Sequence, residues 1–175
     1  IPGVHPGGWN YLRHSLQPLL RGEITRICLP TGLIALLLFF SVFRTARERW
    51  PVLLVLLASA WIMLGAMSAF GWTWNLMSIG AVPLCLGLGL DFTIHMIHAL
   101  REKGATVAHA ASLGRSLAFC GLSTGLAFGA LATGTNRGLI SLGFTTMTGV
   151  LAVLLTSAFA LPYVWFRFSR PHPKA

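Results

Sequence analysis

Five apolar runs, each about as long as a bilayer is thick, constrain what this chain can fold into. A helix needs about 20 apolar residues to cross the hydrocarbon core of a membrane. The runs cover residues 25–43, 51–70, 75–100, 116–133 and 139–166. Because 55% of the residues are hydrophobic and only 10% are charged, too few polar side chains remain to cover a water-soluble domain. The sequence therefore predicts an all-α, polytopic membrane bundle of five transmembrane helices.

The distribution of Lys and Arg predicts the direction of these spans. If each run crosses the membrane, nine basic residues lie on one side and four on the other. The nine are Arg44, Arg47, Arg49, Arg101, Lys103, Arg115, Arg167, Arg170 and Lys174, and the four are Arg13, Arg21, Arg26 and Arg137. Basic loops stay in the cytoplasm, so we expect the N-terminus outside, the C-terminus inside, and residues 167–175 to form a cytoplasmic basic tail. The net charge of +9 then reports membrane topology, and no nucleic-acid partner is predicted.

Residues 1–24 come before the first run and carry apolar side chains at roughly helical spacing. These are Trp9, Tyr11, Leu12, Leu16, Leu19 and Leu20. The spacing predicts an interfacial helix on the outer leaflet, and a connector from an upstream extracytoplasmic domain is the other interpretation. Because the sequence has neither an initiator Met nor a signal peptide, we expect it to be part of a longer protein.

Asp91 is the only acidic residue inside any of the apolar runs. A charged carboxylate in the middle of a membrane costs about 3 kcal/mol on insertion scales, and Asp91 would lie roughly 6 Å from the centre of its span. Helical spacing places it on one stripe with Gly80, Leu84, Gly87, His95 and His98. The default interpretation is a proton relay whose carboxyl alternates between neutral and charged forms. The alternative is a packing carboxyl satisfied by Thr124 or by a backbone carbonyl.

Two other chemistries fit short patterns less well. Asp91, His95 and His98 form a two-His, one-carboxylate set, but three ligands from one straight helix rarely converge on one ion. Residues 121–125 match G-x-S-x-G around Ser123, a pattern that indicates a hydrolase only at a strand–turn–helix elbow. We therefore predict a protein that is not an enzyme and has no cofactor or metal. The cysteines, Cys28, Cys85 and Cys120, are expected to be small buried hydrophobes.

Small residues predict how the spans pack. Gly121, Gly125 and Gly129 in the fourth span form a repeated small-xxx-small motif, which is typical of close helix packing. Gly87 would serve the same purpose in the third span, and Pro83 predicts a local kink there. The fifth span places Ser141, Thr145, Thr148 and Ala152 on one face. We therefore expect the last three spans to pack together and the first two, which are more hydrophobic, to face lipid.

Three segments together resemble the C-terminal membrane half of resistance-nodulation-division (RND) transporters, especially the MMPL-type lipid exporters and their hopanoid-exporter relatives. The segments are residues 75–78, the Gly-rich run 87–95 that leads through Asp91 to His95, and residues 121–131. The resemblance implies that these five helices are the last five of twelve and that Asp91 is the relay carboxylate of the second half. It also implies that Thr124 is a relay hydroxyl and that His95 belongs to the same site.

These observations lead to one functional prediction and one rival. The resemblance implies the membrane half of a proton-driven exporter of lipidic or hydrophobic cargo, in the inner membrane of a bacterium. Its partners would be membrane lipids, the cargo, the other half and extracytoplasmic domains of the same transporter, and possible further copies of the protein. Asp91 is then expected to face a surface that this chain leaves uncovered. The rival is a membrane module that binds a sterol-like lipid and does not transport.

Overall fold

Helices form all of the regular structure in the residues that the computed structural model describes, which are residue 26 and residues 29–72, 75–102 and 106–168. In chain order they are α1 (Leu29–Val42), α2 (Ala46–Ala69), α3 (Leu76–Ile79), α4 (Ala81–Arg101), α5 (Val107–Leu131), α6 (Arg137–Leu155) and α7 (Leu161–Phe168). A single π-helical turn, Thr156–Ala160, joins α6 to α7. No strand occurs in these ranges, so the all-α prediction is confirmed.

Three segments of the described chain are long and apolar enough to cross a membrane, namely Glu48–Ala69, Met77–Arg101 and Arg137–Arg167. They correspond to the second, third and fifth predicted spans. Helix α1 is a shorter apolar helix, and α5, with 25 residues, begins at Val107, well before the predicted start of the fourth span at Ser116. The count of five spans and their direction stay predictions. The segment 1–24 and the tail beyond residue 168 lie outside the described residues.

Helix α6 lies at the centre of the bundle, where it contacts α2, α4 and α5. Two glycines of α6 make these close approaches possible. A Cβ added at Gly149 would collide with the sulfur of Cys85 in α4, and one added at Gly143 would lie 2.5 Å from the carbonyl oxygen of Phe128 in α5. Small residues let helix backbones approach in this way, so α6 holds the other helices around it.

One face of helix α2 packs into the bundle, and the expectation that the first two spans face lipid is wrong for this face alone. Val52, Val55 and Met67 are buried there, and the sulfur of Met67 lies 3.8 Å from the hydroxyl of Thr145 in α6. Lipid and a neighbouring helix are both apolar, so hydrophobicity alone could not distinguish the two environments. The other face of α2 is exposed, and helix α1 likewise exposes most of its large side chains.

A capping box begins the segment that leads into α4. The Ser78 N–H donates to Asn75 Oδ1 at 2.9 Å, and the Asn75 N–H donates to Ser78 Oγ at 2.8 Å. Helix α3 ends at Ile79 and α4 begins after Gly80, so Pro83 stands in the first turn of α4. A proline is tolerated there because its missing N–H has no helical partner to lose. The effect of Pro83 therefore falls at the start of α4 and not in its interior.

Polar contacts fasten the end of α4 to the start of α2. Arg101 Nε donates to Glu48 Oε1 at 2.8 Å, and Arg101 Nη2 contacts both Glu48 Oε2 and the carbonyl oxygen of Val42. The planar guanidinium matches the carboxylate in a two-point contact.

Of the two described cysteines, Cys85 is buried as expected. The prediction of burial is wrong for Cys120, which is exposed because it lies on the face of α5 that turns away from α6.

Candidate functional site

Helix α4 has two faces of opposite character. One face is buried in the bundle and includes Phe92, Thr93 and Met96. The hydroxyl of Thr93 donates to the carbonyl oxygen of Gly89 at 2.8 Å, which satisfies this polar group within its own helix. The other face is exposed along its whole length and carries the stripe predicted from the sequence, Gly80, Leu84, Gly87, Asp91, His95 and His98. We call these six residues the α4 stripe.

Asp91 and His95 form a polar pair within the α4 stripe. His95 Nε2 lies 3.4 Å from Asp91 Oδ1, one helical turn apart, and the side chains are 60% and 58% exposed respectively. Asp91 is two residues from the middle of the candidate span Met77–Arg101, which is about 3 Å along the helix axis. An acid and an imidazole therefore lie side by side at membrane depth on a surface that the described residues do not cover.

The hydroxyl of Thr124 has a hydrogen-bond partner within its own helix. The Thr124 hydroxyl donates to the carbonyl oxygen of Cys120 at 2.9 Å, within α5. No hydrogen bond joins it to Asp91 in the described chain, so the alternative of a carboxyl satisfied by Thr124 finds no support. Helical Thr commonly bonds the carbonyl four residues earlier, and this bond would have to break before the Thr124 hydroxyl could donate to another partner.

The other two chemistries weighed for this sequence lack the geometry they need. Across residues 29–72, 75–102 and 106–168, no three His, Cys, Asp or Glu side chains are arranged to hold a metal ion. Asp91, His95 and His98 therefore do not converge. Ser123 is exposed in the middle of the continuous helix α5. Because it does not stand at a strand–turn–helix elbow, the G-x-S-x-G match has no catalytic context.

Three of the four glycines selected from the sequence face α6. A Cβ at Gly121 would lie 3.0 Å from Leu154, one at Gly125 would lie 3.7 Å from Leu151, and one at Gly129 would lie 2.8 Å from Met147. These positions line the close contact between α5 and α6. Gly87 differs, because no atom of the described chain lies within 4 Å of its Cβ position. Its role in helix packing stays a prediction that requires a surface from outside the described residues.

Sequence reasoning missed Gly143 and Gly149, the two glycines with the tightest surroundings in α6. A Cβ at Gly143 would meet backbone atoms of α5, including the nitrogen of Ala132 at 2.8 Å. The signal was weak because the two glycines are six residues apart and do not form a small-xxx-small pair. Gly143 faces α5, whereas Gly149 faces both α4 and α2. No single sequence motif could therefore have predicted both positions.

Apolar helices of spanning length, packed through small residues, define the chain as part of a multi-pass helical membrane protein. It is similar to the protein named hopanoid transporter HpnN of Burkholderia multivorans (strain ATCC 17616 / 249). The two are 25% identical over an aligned length of 170 residues, and the match covers 89% of this chain and 19% of HpnN. This distant homology confirms the resemblance to the RND transporters and their hopanoid-exporter relatives. No family model and no solved structure matches the chain.

Proposed function

We propose that this chain is part of the membrane domain of an RND-type exporter of lipidic or hydrophobic substrates, driven by the proton-motive force. Asp91 is the proton-relay carboxylate in this proposal. The supports are the distant homology to a protein named as a hopanoid transporter and the exposed α4 stripe that carries Asp91 and His95. The proposal places the protein in the inner membrane of a bacterium, with five spans, the N-terminus outside and the C-terminus inside.

The exposure of the α4 stripe is the observation that carries the proposal. A carboxylate held in contact with lipid at this depth costs about 2.5–3.5 kcal/mol on insertion scales. Intramembrane acids therefore face protein or a water-filled cavity almost without exception. Since the described helices cover the opposite face of α4 and leave Asp91 more than half exposed, we infer that a further protein surface covers the stripe. In RND-type transporters, that surface would be the other half of the membrane domain.

The contact between Asp91 and His95 gives the relay a chemical basis. Removing water from the carboxyl favours its neutral form, whereas a nearby cation favours its charged form. A protonated His95 at 3.4 Å would supply such a cation. Proton exchange at this pair would then change how strongly α4 binds the surface that covers it. In this proposal the Thr124 hydroxyl can donate to the relay only after it leaves the Cys120 carbonyl.

Proton flux through the full-length protein tests the role of Asp91. Purified protein is reconstituted into vesicles that contain a pH-sensitive dye, and flux is measured after a pH step. Asp91→Asn should abolish coupled flux, because an amide cannot exchange a proton, while Asp91→Glu should keep part of it. Glu102→Gln is the matched control, because it removes an acid from the residue that follows α4 without touching the α4 stripe. Wild-type flux in Asp91→Asn would contradict the relay, and a lipid-binding module that does not transport would tolerate that substitution.

A second variant tests whether protein covers the α4 stripe. Gly87→Leu adds bulk where the described chain leaves open space, so it should leave the folding of this chain intact. If another protein surface packs against the stripe, Gly87→Leu should reduce transport while Gly65→Leu does not. Gly65 in α2 is the matched control because its Cβ position is equally open. Equal transport by both variants would show that the stripe faces lipid and would contradict the proposal.

A further inference from the structure

An open groove runs between α5 and the end of the α6–α7 segment, away from the α4 stripe. Its volume is about 960 Å³, at the upper end of the range for sites that bind small molecules. Its walls are almost entirely apolar and include Ala111, Ala118, Leu155, Phe159 and Phe166. We call this the α5–α7 groove. Phe159 and Leu155 are strongly exposed, so the groove opens to the surroundings of the bundle and a lipid could enter it from the side.

The π-helical turn helps to shape one wall of the groove. The Leu161 N–H donates to the carbonyl oxygen of Thr156, an i→i−5 bond. Pro162 follows directly, and its ring has no N–H to continue the regular ladder. On the facing helix, a Cβ at Gly114 would lie 3.9 Å from Ala158, so small residues face each other across this part of the groove. Single π-helical turns are often found at functional sites.

Two arginines line the half of the groove that lies beside the start of α5. Helix α5 runs antiparallel to α6, because Gly129, Gly125 and Gly121 face Met147, Leu151 and Leu154 in turn. Continuing this register brings the start of α5 beside the end of α7. Arg115, in the third turn of α5, and Arg167, in the last turn of α7, both line the groove.

Both guanidiniums are available to a ligand. Arg115 and Arg167 are exposed, and neither forms an ion pair or hydrogen bond with another described residue. In contrast, Arg101 is occupied by Glu48. Tyr163 adds an exposed hydroxyl on the same wall. One half of the groove carries two cationic groups, and the other half is lined only by apolar side chains. This arrangement matches a molecule with an anionic head and a hydrocarbon chain.

We propose that the α5–α7 groove binds an anionic phospholipid, with the phosphate between Arg115 and Arg167 and an acyl chain along Ala118, Leu122 and Leu155. The occupant is a lipid of the surrounding membrane, because basic pockets between membrane helices bind anionic headgroups and the groove opens sideways. This site does not involve Asp91, so it can exist whether or not the proton-relay proposal holds.

Native mass spectrometry of the detergent-solubilised full-length protein tests the site, with phosphatidylglycerol or phosphatidylcholine as the added lipid. Each basic side chain near an anionic headgroup contributes about fivefold in affinity. The double variant Arg115→Gln/Arg167→Gln should therefore bind phosphatidylglycerol about 25-fold more weakly, with phosphatidylcholine binding nearly unchanged. Arg115→Lys/Arg167→Lys keeps the charge and should keep most of the affinity, which separates loss of charge from misfolding. Arg137→Gln, at the opposite end of α6, is the matched control and should have no effect.

A second pair of variants tests the apolar part of the groove. Leu122→Trp adds bulk beside the proposed acyl chain and should weaken phosphatidylglycerol binding with both arginines in place. Leu126→Trp makes the same change one turn further along α5, at an exposed position outside the groove, and should not. Unchanged phosphatidylglycerol binding in the Gln double variant or in Leu122→Trp would overturn the proposal. So would equal competition by glycerol 3-phosphate, because a site that needs only the headgroup is not a lipid groove.

Discussion

Replacing Gly143 by alanine tests whether the close approach of α5 and α6 holds the bundle together. The new Cβ would lie 2.5 Å from the carbonyl oxygen of Phe128, 2.8 Å from the nitrogen of Ala132 and 2.9 Å from the Cβ of Leu131. Two of these three atoms belong to the backbone and cannot move away by changing a rotamer. The helices must therefore separate by several tenths of an ångström, and the contacts on either side of Gly143 must loosen.

The expected size of the effect follows from two opposing terms. Overpacking costs about 1–3 kcal/mol, and the rigid backbone neighbours place Gly143 in the upper half of that range. Alanine in place of glycine inside a helix recovers about 1 kcal/mol. We therefore expect Gly143→Ala to lower the free energy of unfolding by about 1–2 kcal/mol.

Gly65→Ala provides the matched control for Gly143→Ala. Gly65 lies inside α2 with open space around its Cβ position, so this substitution should stabilise by up to about 1 kcal/mol. The two variants of the full-length protein are compared by equilibrium unfolding in mixed detergent micelles, followed by helical circular dichroism. The difference between them should be about 2–3 kcal/mol. Equal stability would show that α5 and α6 do not approach as closely as described.

Two further substitutions have effects that the same unfolding measurement can check. Arg101→Lys should destabilise by about 1 kcal/mol, because an ammonium cannot reproduce the two-point contact with Glu48, and wild-type stability would mean that this contact contributes nothing. Asn75→Ala should cost about 1 kcal/mol through loss of the cap on Ser78, whereas no change would show that the capping box does not form.

The glycines of the bundle show how far sequence patterns predict packing. Gly121, Gly125 and Gly129 repeat every four residues, and that spacing alone puts them on one face of a helix. The structure shows that this face meets α6. Gly143 and Gly149 escaped prediction because each is a single small residue whose neighbour comes from another helix. The identity of that neighbour is a property of the bundle and is not encoded in local spacing.

For the two faces of α4, too, one part of the outcome follows from sequence spacing and the other part only from packing. Helical spacing predicts that Asp91 and His95 share a stripe, and the structure places them 3.4 Å apart on it. The spacing could not predict which way the stripe points, because apolar residues lie on every side of this helix. Only the packing of the opposite face, which includes Phe92 and Met96, leaves the stripe exposed.

Taken alone, the sequence determined that the chain is helical and built for a membrane, and that one acid is placed among its apolar runs. These properties depend on composition and on the 3.6-residue period, both of which are local. The tertiary structure decided that α6 is central, that one face of α2 packs against it, and that Arg115 and Arg167 line one half of an apolar groove. Those outcomes depend on residues far apart in the chain. In lipid, helices choose neighbours by shape and close packing, since hydrophobicity does not distinguish one apolar face from another.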